Sequence, residues 1–281
     1  LLAFQGAGYV HLSKPFGENV GRALRYLVQA QDRDGCIGSR AKDKYMYDHL
    51  IGALALLEAY GMTGSVDFKE PAERALKFTL AAQNPGKGWR YTSRSGDTDT
   101  SVTAWGAMVL ASARITGFDV PQSAKDGVIA WFKEVTDEYG RVGYTHRGTG
   151  KVFSTGKNES FNHHETLTAV ALFSRAMLGA KDAERDPQAA QLLMRDLPSG
   201  EGADVDAYYW YYASLALFQH DVRDGRQWKT WWEALKPSIL KTREKDGSWN
   251  PQLDPWGVEG GRVFVTAMNT LGWDVYSFDQ E

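Results

Sequence analysis

A turn built around glycine recurs along this chain at intervals of about 50 residues, each time after a segment with helical periodicity. The four copies lie at residues 31–38, 83–89, 137–144 and 243–249. Glycine suits the end of a helix because the residue that follows the last turn commonly takes positive φ, which is costly for any residue with a side chain. Self-similar units of this length are typical of repeat proteins, so the sequence predicts a helical repeat.

The segments on the two sides of each turn differ in character. Segments such as 101–110 and 208–218 are apolar on nearly every face, which indicates buried, inner helices. Segments such as 20–30 carry their charges on one side, which indicates amphipathic, outer helices. Strand-like alternation is nearly absent, so we expect an all-α fold of helical hairpins. Inner helices are predicted to start near residues 2, 47, 99, 163, 206 and 262, and outer helices near 17, 70, 122, 187 and 227.

Composition excludes several classes of partner. Hydrophobic residues make up 43% and charged residues 24% of the chain, as in ordinary globular proteins. The net charge of −3 leaves no basic excess to neutralise phosphates, so we expect no nucleic-acid partner. No apolar run approaches the about 20 residues that a transmembrane segment requires. The single cysteine excludes an internal disulfide and a cysteine-rich metal site.

The turns resemble the QW repeats of squalene-hopene and oxidosqualene cyclases, whose (α/α)6 toroid is shared by the β subunits of protein prenyltransferases. The segment 88–105 is similar to the prenyltransferase stretch that ends D-x-C-Y-S-x-W, and 206–215 is similar to D-x-Y-H-x-x-Y-x-L-S. The runs 209–212 and 260–263 are typical of bacterial prenyltransferase/squalene-oxidase repeat proteins. The resemblance implies one α/α toroid over residues 1–281. Since the pattern provides six inner but five outer helices, we expect an outer helix upstream in a longer parent protein, or an irregular segment in its place.

The catalytic motifs of these families are incomplete here. Prenyltransferases bind zinc through Asp, Cys and His, and the matching positions hold Asp99, Ser101 and Tyr209. Because a hydroxyl and a phenol are poor zinc ligands, we expect no metal and no cofactor. The cyclase acid motif D-x-D-D is matched by Asp-Thr-Asp-Thr at 97–100, which is incomplete in either register. The resemblance therefore leaves Asp99 and Asp97 as candidate catalytic residues.

In a toroid the parallel inner helices gather their N-termini at one mouth of the central cavity, where free N–H groups and the helix dipoles favour polar ligands. Titratable groups beside an aromatic-lined cavity are a common composition for a ligand site. The candidate ligand-binding residues at these helix starts are His49, His163, His164, Glu165, Asp206, Tyr208, Tyr209 and Arg262.

Several of these polar residues also have a purely structural interpretation. Asp97, Asp99 and Asp206 can act as helix N-caps. Glu165 fits a capping box, in which its side chain reaches back to the start of the helix. A metal site that joins a histidine of the 163–164 pair to Asp99 and Glu165 is a further alternative.

Histidine and arginine at the helix starts leave comparable alternatives open. His49 lies on an apolar helix, where a hydrogen-bonded core histidine is the more common arrangement. Arg262 can clamp an anionic ligand or pair with Asp206 or Asp204. The run 208–212 covers every face of its helix, so part of it must pack in the core.

Three functions fit this sequence. The favoured hypothesis is a toroid with a degenerate active site that binds a ligand or a protein partner at the cavity mouth. The ligand would be a small hydrophobic or polar-headed molecule, and the partner another protein or domain. The second hypothesis is an active isoprenoid cyclase or transferase that uses Asp99, with aromatic walls that stabilise carbocations. The third is a carbohydrate-active α/α barrel with Asp99 and Asp206 as paired carboxylates.

Overall fold

The computed structural model describes residues 1–147, 164–221 and 225–277 of the chain. These residues form eleven α-helices, with isolated β-bridges at three of the turns instead of strands. The all-α prediction is confirmed for this part of the chain, and each helix begins within five residues of its predicted start. The helices are α1 (Leu2–Gly6), α2 (Gly17–Ala30), α3 (Tyr45–Thr63), α4 (Val66–Ala82), α5 (Thr100–Ile115), α6 (Gln122–Val135), α7 (Thr166–Met177), α8 (Arg185–Leu193), α9 (Ala207–His220), α10 (Arg226–Thr242) and α11 (Gly257–Ser277).

The chain divides into two compact units, Leu1–Glu134 and Val135–Glu281. In the first unit α3 packs against two other apolar helices, α1 and α5, and against the amphipathic α2 and α4. In the second unit α9 packs in the same way against α7 and α11 and against α8 and α10. Each unit is therefore a double layer, with one layer of predicted inner helices and one of predicted outer helices.

Burial separates the two kinds of helix. Every residue of α5 from Thr100 to Ala113 is buried, and so is every residue of α7 from Thr166 to Arg175. The outer helix α2 buries only Gly17, Val20, Gly21 and Leu24 of its 14 residues. This contrast follows from the apolar and amphipathic patterns of the two kinds of segment. No helix in the described ranges is both long enough and apolar enough to cross a membrane.

The repeated turn has the same pair of backbone hydrogen bonds in all four copies. In the first copy the Asp32 N–H donates to the Cys36 carbonyl at 2.8 Å, and the Gly35 N–H donates to the Asp32 carbonyl at 3.0 Å. Gly35 has φ +95°, a conformation that residues with side chains rarely adopt. The equivalent bonds join Asn84 to Gly88 and Lys87, Asp137 to Arg141 and Gly140, and Glu244 to Ser248 and Gly247.

The side chains of the second turn hold it between its neighbouring helices. The indole N–H of the fully buried Trp89 donates to the Thr79 carbonyl at 2.8 Å. A Cβ at Gly106 of α5 would lie 2.4 Å from the Trp89 ring, so glycine makes room for the indole. The Gln83 amide donates to the carbonyls of Lys87 (2.7 Å) and Ala124 (2.8 Å), which ties the turn to α6.

Candidate functional site

The predicted acid residues lie at the start of α5 in the first unit. Asp99 is the N-cap of this helix, since its Oδ1 accepts the Val102 N–H at 2.8 Å, and its side chain is fully buried. Arg90 Nε lies 3.9 Å from Asp99 Oδ2, and the same guanidinium forms an ion pair with Asp97. The N-cap interpretation is confirmed for Asp99 and wrong for Asp97. Both the helix terminus and the guanidinium stabilise a negative charge on Asp99.

A partly exposed group of aromatic and polar side chains lies next to these carboxylates. We call it the Tyr47 cluster, and it consists of Lys44, Tyr47, Arg90, Tyr91 and Ser101. The Tyr47 hydroxyl donates to Ser101 Oγ at 3.0 Å, and the Tyr47 and Tyr91 ring centroids are 6.2 Å apart. Lys44 Nζ and Arg90 Cζ lie 5.4 Å and 5.1 Å from the Tyr91 centroid, within the range of cation–π attraction. The cluster thus offers aromatic faces and cations to a polar-headed molecule.

His49 is part of the core of the first unit. Its Nδ1 accepts the Ile37 N–H at 3.2 Å, and its Nε2 lies 2.9 Å from Thr79 Oγ1. Because Nδ1 accepts, the proton of the neutral ring is on Nε2 and is donated to Thr79, whose hydroxyl donates to the Ala75 carbonyl at 3.0 Å. Burial lowers the pKa of His49 to about 3. These are the contacts of a hydrogen-bonded core histidine, and both ring nitrogens are engaged in them.

Two buried carboxyl groups meet the first turn of α9 in the second unit. Asp206 is the N-cap, and its Oδ1 accepts the Tyr209 N–H at 2.9 Å and the Trp256 indole N–H at 3.2 Å. Asp254 Oδ2 accepts the Ala207 N–H at 2.8 Å. Asp206 Oδ2 has no hydrogen-bond partner within the described ranges. Burial raises the pKa of Asp206 to about 6, so a fraction of this carboxyl group is protonated near neutral pH.

The two tyrosines at the start of α9 have different surroundings. The Tyr208 ring lies 5.7 Å from the ring of Trp256, whose indole N–H donates to the buried carboxyl of the N-cap. Tyr209 is fully buried, its ring stacks on His164 at 4.8 Å, and its hydroxyl donates to the Leu193 carbonyl at 3.3 Å. Burial raises the pKa of Tyr209 well above its usual value. Tyr209 therefore serves as a packing residue at the position where the prenyltransferase motif has histidine.

Glu165 does not close a capping box. It is the N-cap residue of α7, and its side chain makes no capping hydrogen bond. Its Oε1 accepts the Arg141 Nε–H at 2.7 Å, and its Oε2 accepts the Thr168 hydroxyl at 2.9 Å. The expectation was wrong because α7 begins at Thr166, three residues after the predicted start, so Glu165 precedes the helix instead of lying in its first turn.

Arg262 pairs with neither of the aspartates considered for it. Its Nη1 donates to Ser248 Oγ at 2.7 Å, and it forms no ion pair with another residue in the described part of the chain. The described ranges contain no group of three or more His, Cys, Asp or Glu side chains that could hold a metal ion. His163 lies outside the described residues, so the metal site that would use it stays a prediction.

Sequence reasoning missed five site residues in the segments between a repeated turn and the next inner helix: Lys44, Arg90, Tyr91, Asp254 and Trp256. Lys44 precedes α3, Arg90 and Tyr91 follow Trp89, and the other two lie before α11. These segments have no periodicity, so their position relative to the helix ends depends on tertiary packing. The one available signal was their shared place in the repeat, between the turn and the start of the next inner helix.

No protein-family model matches the sequence, and a comparison with curated proteins gives no match. The interpretation of the site therefore depends on the geometry of its own residues.

Proposed function

We propose that this chain is a ligand- or partner-binding domain of the terpene cyclase and prenyltransferase type that lacks the catalytic site of those enzymes. The double layers of the two units would continue into one (α/α)6 toroid over residues 1–281. Two observations support the proposal: the same turn geometry occurs in four copies, and each unit has an apolar and an amphipathic layer.

The main support for the proposal is that the residues at the catalytic positions of cyclases and prenyltransferases make intramolecular contacts that stabilise the fold of this chain. Asp99 caps α5 and faces Arg90. Ser101, at the position of a zinc-binding cysteine, accepts the hydroxyl of Tyr47. Tyr209, at the position of a zinc-binding histidine, is buried with its hydroxyl on a backbone carbonyl. A side chain with one of these contacts stabilises a helix end or the core, and it cannot turn towards a substrate without losing that contact.

The Tyr47 cluster is the region that best suits a bound molecule. The faces of Tyr47 and Tyr91 can cover an apolar chain or ring, while Lys44 and Arg90 can bind a polar head. The carboxylate of Asp97 already neutralises part of the charge of Arg90. We therefore expect a small molecule with an apolar part and a polar or weakly anionic head.

Mass spectrometry of molecules that co-purify with the chain tests this function. We expect the wild-type chain to retain a small molecule in near-stoichiometric amount, and Tyr91→Ala to lose it. Tyr26→Ala is the matched control, since Tyr26 is an exposed tyrosine outside the cluster, and it should retain the molecule. Retention by Tyr91→Ala, or the absence of any molecule from wild-type preparations, would contradict the proposal.

One observation favours an active isoprenoid enzyme as the second candidate. Only Oδ1 of Asp206 caps α9; its Oδ2 has no hydrogen-bond partner within the described ranges, and burial raises the pKa of this carboxyl to about 6, which favours the protonated form that an acid catalyst needs. Incubation with squalene and with a prenyl diphosphate, followed by product analysis, tests this candidate. Product that is lost in Asp206→Asn would establish it, whereas product lost only in Asp99→Asn would return the acid role to Asp99. Absence of product from the wild-type chain would remove the candidate.

A further inference from the structure

A cleft in the second unit lies between the repeated turn after α6 and the outer helix α8, and the inference drawn from it is independent of the proposed function. Its volume is about 340 Å³, towards the lower end of the range for small-molecule sites. We call it the α8 cleft. One wall is the repeated turn after α6, with Asp137, Tyr139 and Arg141, and the other wall is α8, with Gln188, Gln191 and Arg195 at its end.

The turn that forms the first wall is held firmly against α8. Gly140 has φ +80°, and a Cβ at this position would lie 2.7 Å from the Arg185 carbonyl oxygen, so the two backbones are in direct contact. The turn is closed by Asp137, whose Oδ1 accepts the N–H groups of Tyr139 (2.9 Å) and Arg141 (2.8 Å). The cleft is therefore bounded by packed backbone, and a ligand would find it already formed.

The second wall presents polar groups at helical spacing. Gln188 and Leu192 are four residues apart, which places them on one face of α8, and Arg195 follows two residues after the helix ends. Leu192 is 5% exposed and forms an apolar floor. The side-chain carboxamides of Gln188 and Gln191 line this wall, and a carboxamide can both donate and accept hydrogen bonds, so the wall suits an occupant that does the same.

Charges in the cleft nearly cancel. The Arg141 guanidinium is ion-paired with Glu165, to which its Nε donates at 2.7 Å. What remains are the carboxylate of Asp137 and the guanidinium of Arg195, which forms no ion pair with a residue in the described ranges. A strongly charged ligand would therefore meet one like and one opposite charge. A neutral ligand that both donates and accepts hydrogen bonds fits this balance better.

We propose that the α8 cleft binds a neutral polyhydroxylated ligand, a single sugar ring or the terminal ring of a glycan. Each hydroxyl of a sugar can donate to the Asp137 carboxylate or to a carboxamide oxygen, and it can accept from a carboxamide N–H or from the Arg195 guanidinium. Tyr139 is 69% exposed at the edge of the cleft, where its ring can cover the C–H face of the sugar. The cleft thus combines an aromatic face, an apolar floor and a mixed set of donors and acceptors.

Saturation-transfer NMR and calorimetric titration of the full chain with D-glucose, D-galactose, N-acetyl-D-glucosamine and maltose test the proposal. We expect at least one of these sugars to bind the wild-type chain, and Tyr139→Ala and Gln188→Ala each to weaken its binding by about tenfold or more. Tyr26→Ala is a matched control, because Tyr26 is also 69% exposed but lies outside the cleft, and its affinity should stay within about twofold of wild type.

Three outcomes would overturn the proposal. The first is that none of the four sugars binds the wild-type chain. The second is that Tyr139→Ala and Tyr26→Ala have the same effect. The third is that only inorganic phosphate or D-glucuronate binds and Arg195→Gln abolishes that binding, which would make the cleft an anion site. Tyr91→Ala should leave sugar affinity unchanged, so that this site and the Tyr47 cluster are tested separately.

Discussion

The backbone N–H of Trp89 donates a 3.0 Å hydrogen bond to the side-chain oxygen of Thr103, which lies 14 residues further along the chain on α5. The same contact occurs at every copy of the repeated turn, where a backbone N–H near the end of the turn donates to a side chain on the next inner helix. The other donor–acceptor pairs are Ile37 with His49, Val142 with Thr168, and Trp249 with Thr266. Each repeat therefore consists of a turn and of a polar side chain on the next inner helix that accepts a hydrogen bond from the turn.

The first prediction concerns this contact at Thr103. Replacement by valine keeps the shape but leaves a buried N–H unsatisfied, so we expect a loss of about 1–3 kcal/mol in the free energy of unfolding. Thr103→Ser keeps the oxygen and should lose clearly less. Urea unfolding of both variants measures the difference. If serine and valine are equally destabilising, the hydrogen bond is not the source of the effect.

The second prediction concerns the space that glycine leaves for Trp89. Gly106→Ala would bring a Cβ within 2.4 Å of the buried indole, and we expect destabilisation of about 1–3 kcal/mol or more from the forced displacement. Gly272 on α11 is the control, because a Cβ there would have its nearest neighbour at an ordinary 3.8 Å. Gly272→Ala should stabilise the helix by roughly 0.5–1 kcal/mol through reduced backbone entropy. Equal thermal shifts for the two variants would contradict this explanation.

The third prediction is that acidification destabilises the first unit through His49. Its pKa is lowered from 6.5 to about 3 in the folded chain, so the unfolded chain binds a proton that the folded chain excludes. Stability from this group is complete above pH 6.5 and is lost as the pH falls towards 3. Urea titrations at several pH values should show a smaller loss on acidification in His49→Gln than in the wild type. Identical pH profiles would show that His49 does not contribute.

Buried carboxyl groups in the second unit have the opposite effect on the pH dependence of stability, because they destabilise the fold as the pH rises. Burial raises the pKa values of Asp206 and Asp274 to about 6, so between their normal pKa of 3.8 and 6 the folded state binds protons more tightly than the unfolded state. Their contribution to stability is complete below that window and is lost as the pH rises through it. Asp206→Asn should therefore reduce the loss of stability between acidic and neutral pH. The sign is opposite to that for His49→Gln, which makes the two variants controls for each other.

The fourth prediction concerns a buried ion pair in the second unit. Arg175 Nη2 lies 2.6 Å from Asp186 Oδ1, and both residues are 5% exposed. Arg175→Met leaves a buried carboxylate without its cation, so we expect a loss of about 3–5 kcal/mol. Arg185, which pairs with Asp182 at 3.2 Å in a more exposed position, is the control, and Arg185→Met should cost at most about 1 kcal/mol. Similar losses in the two variants would contradict the role of burial.

Helix caps show how far the sequence could predict the site. Asp99 and Asp206 were candidates for N-caps because aspartate precedes an apolar segment in both places, and both make the expected bond to a backbone N–H. Glu165 was misplaced because the start of its helix was predicted three residues too early. An error of one residue in the predicted start of a helix changes which residue holds each position of the capping motif. The same error does not affect the prediction that the helix exists.

The sequence by itself determined which segments are helical, which of them are buried and where the glycine turns separate them. Periodicity and positive-φ caps act over a few residues, so they can be read locally. Only the tertiary structure decided which polar residues are available to a ligand and which are committed to the fold. The reason is that their partners are distant in the chain: His49 bonds to residues 12 and 30 positions away, and Asp206 accepts an indole N–H from 50 positions away.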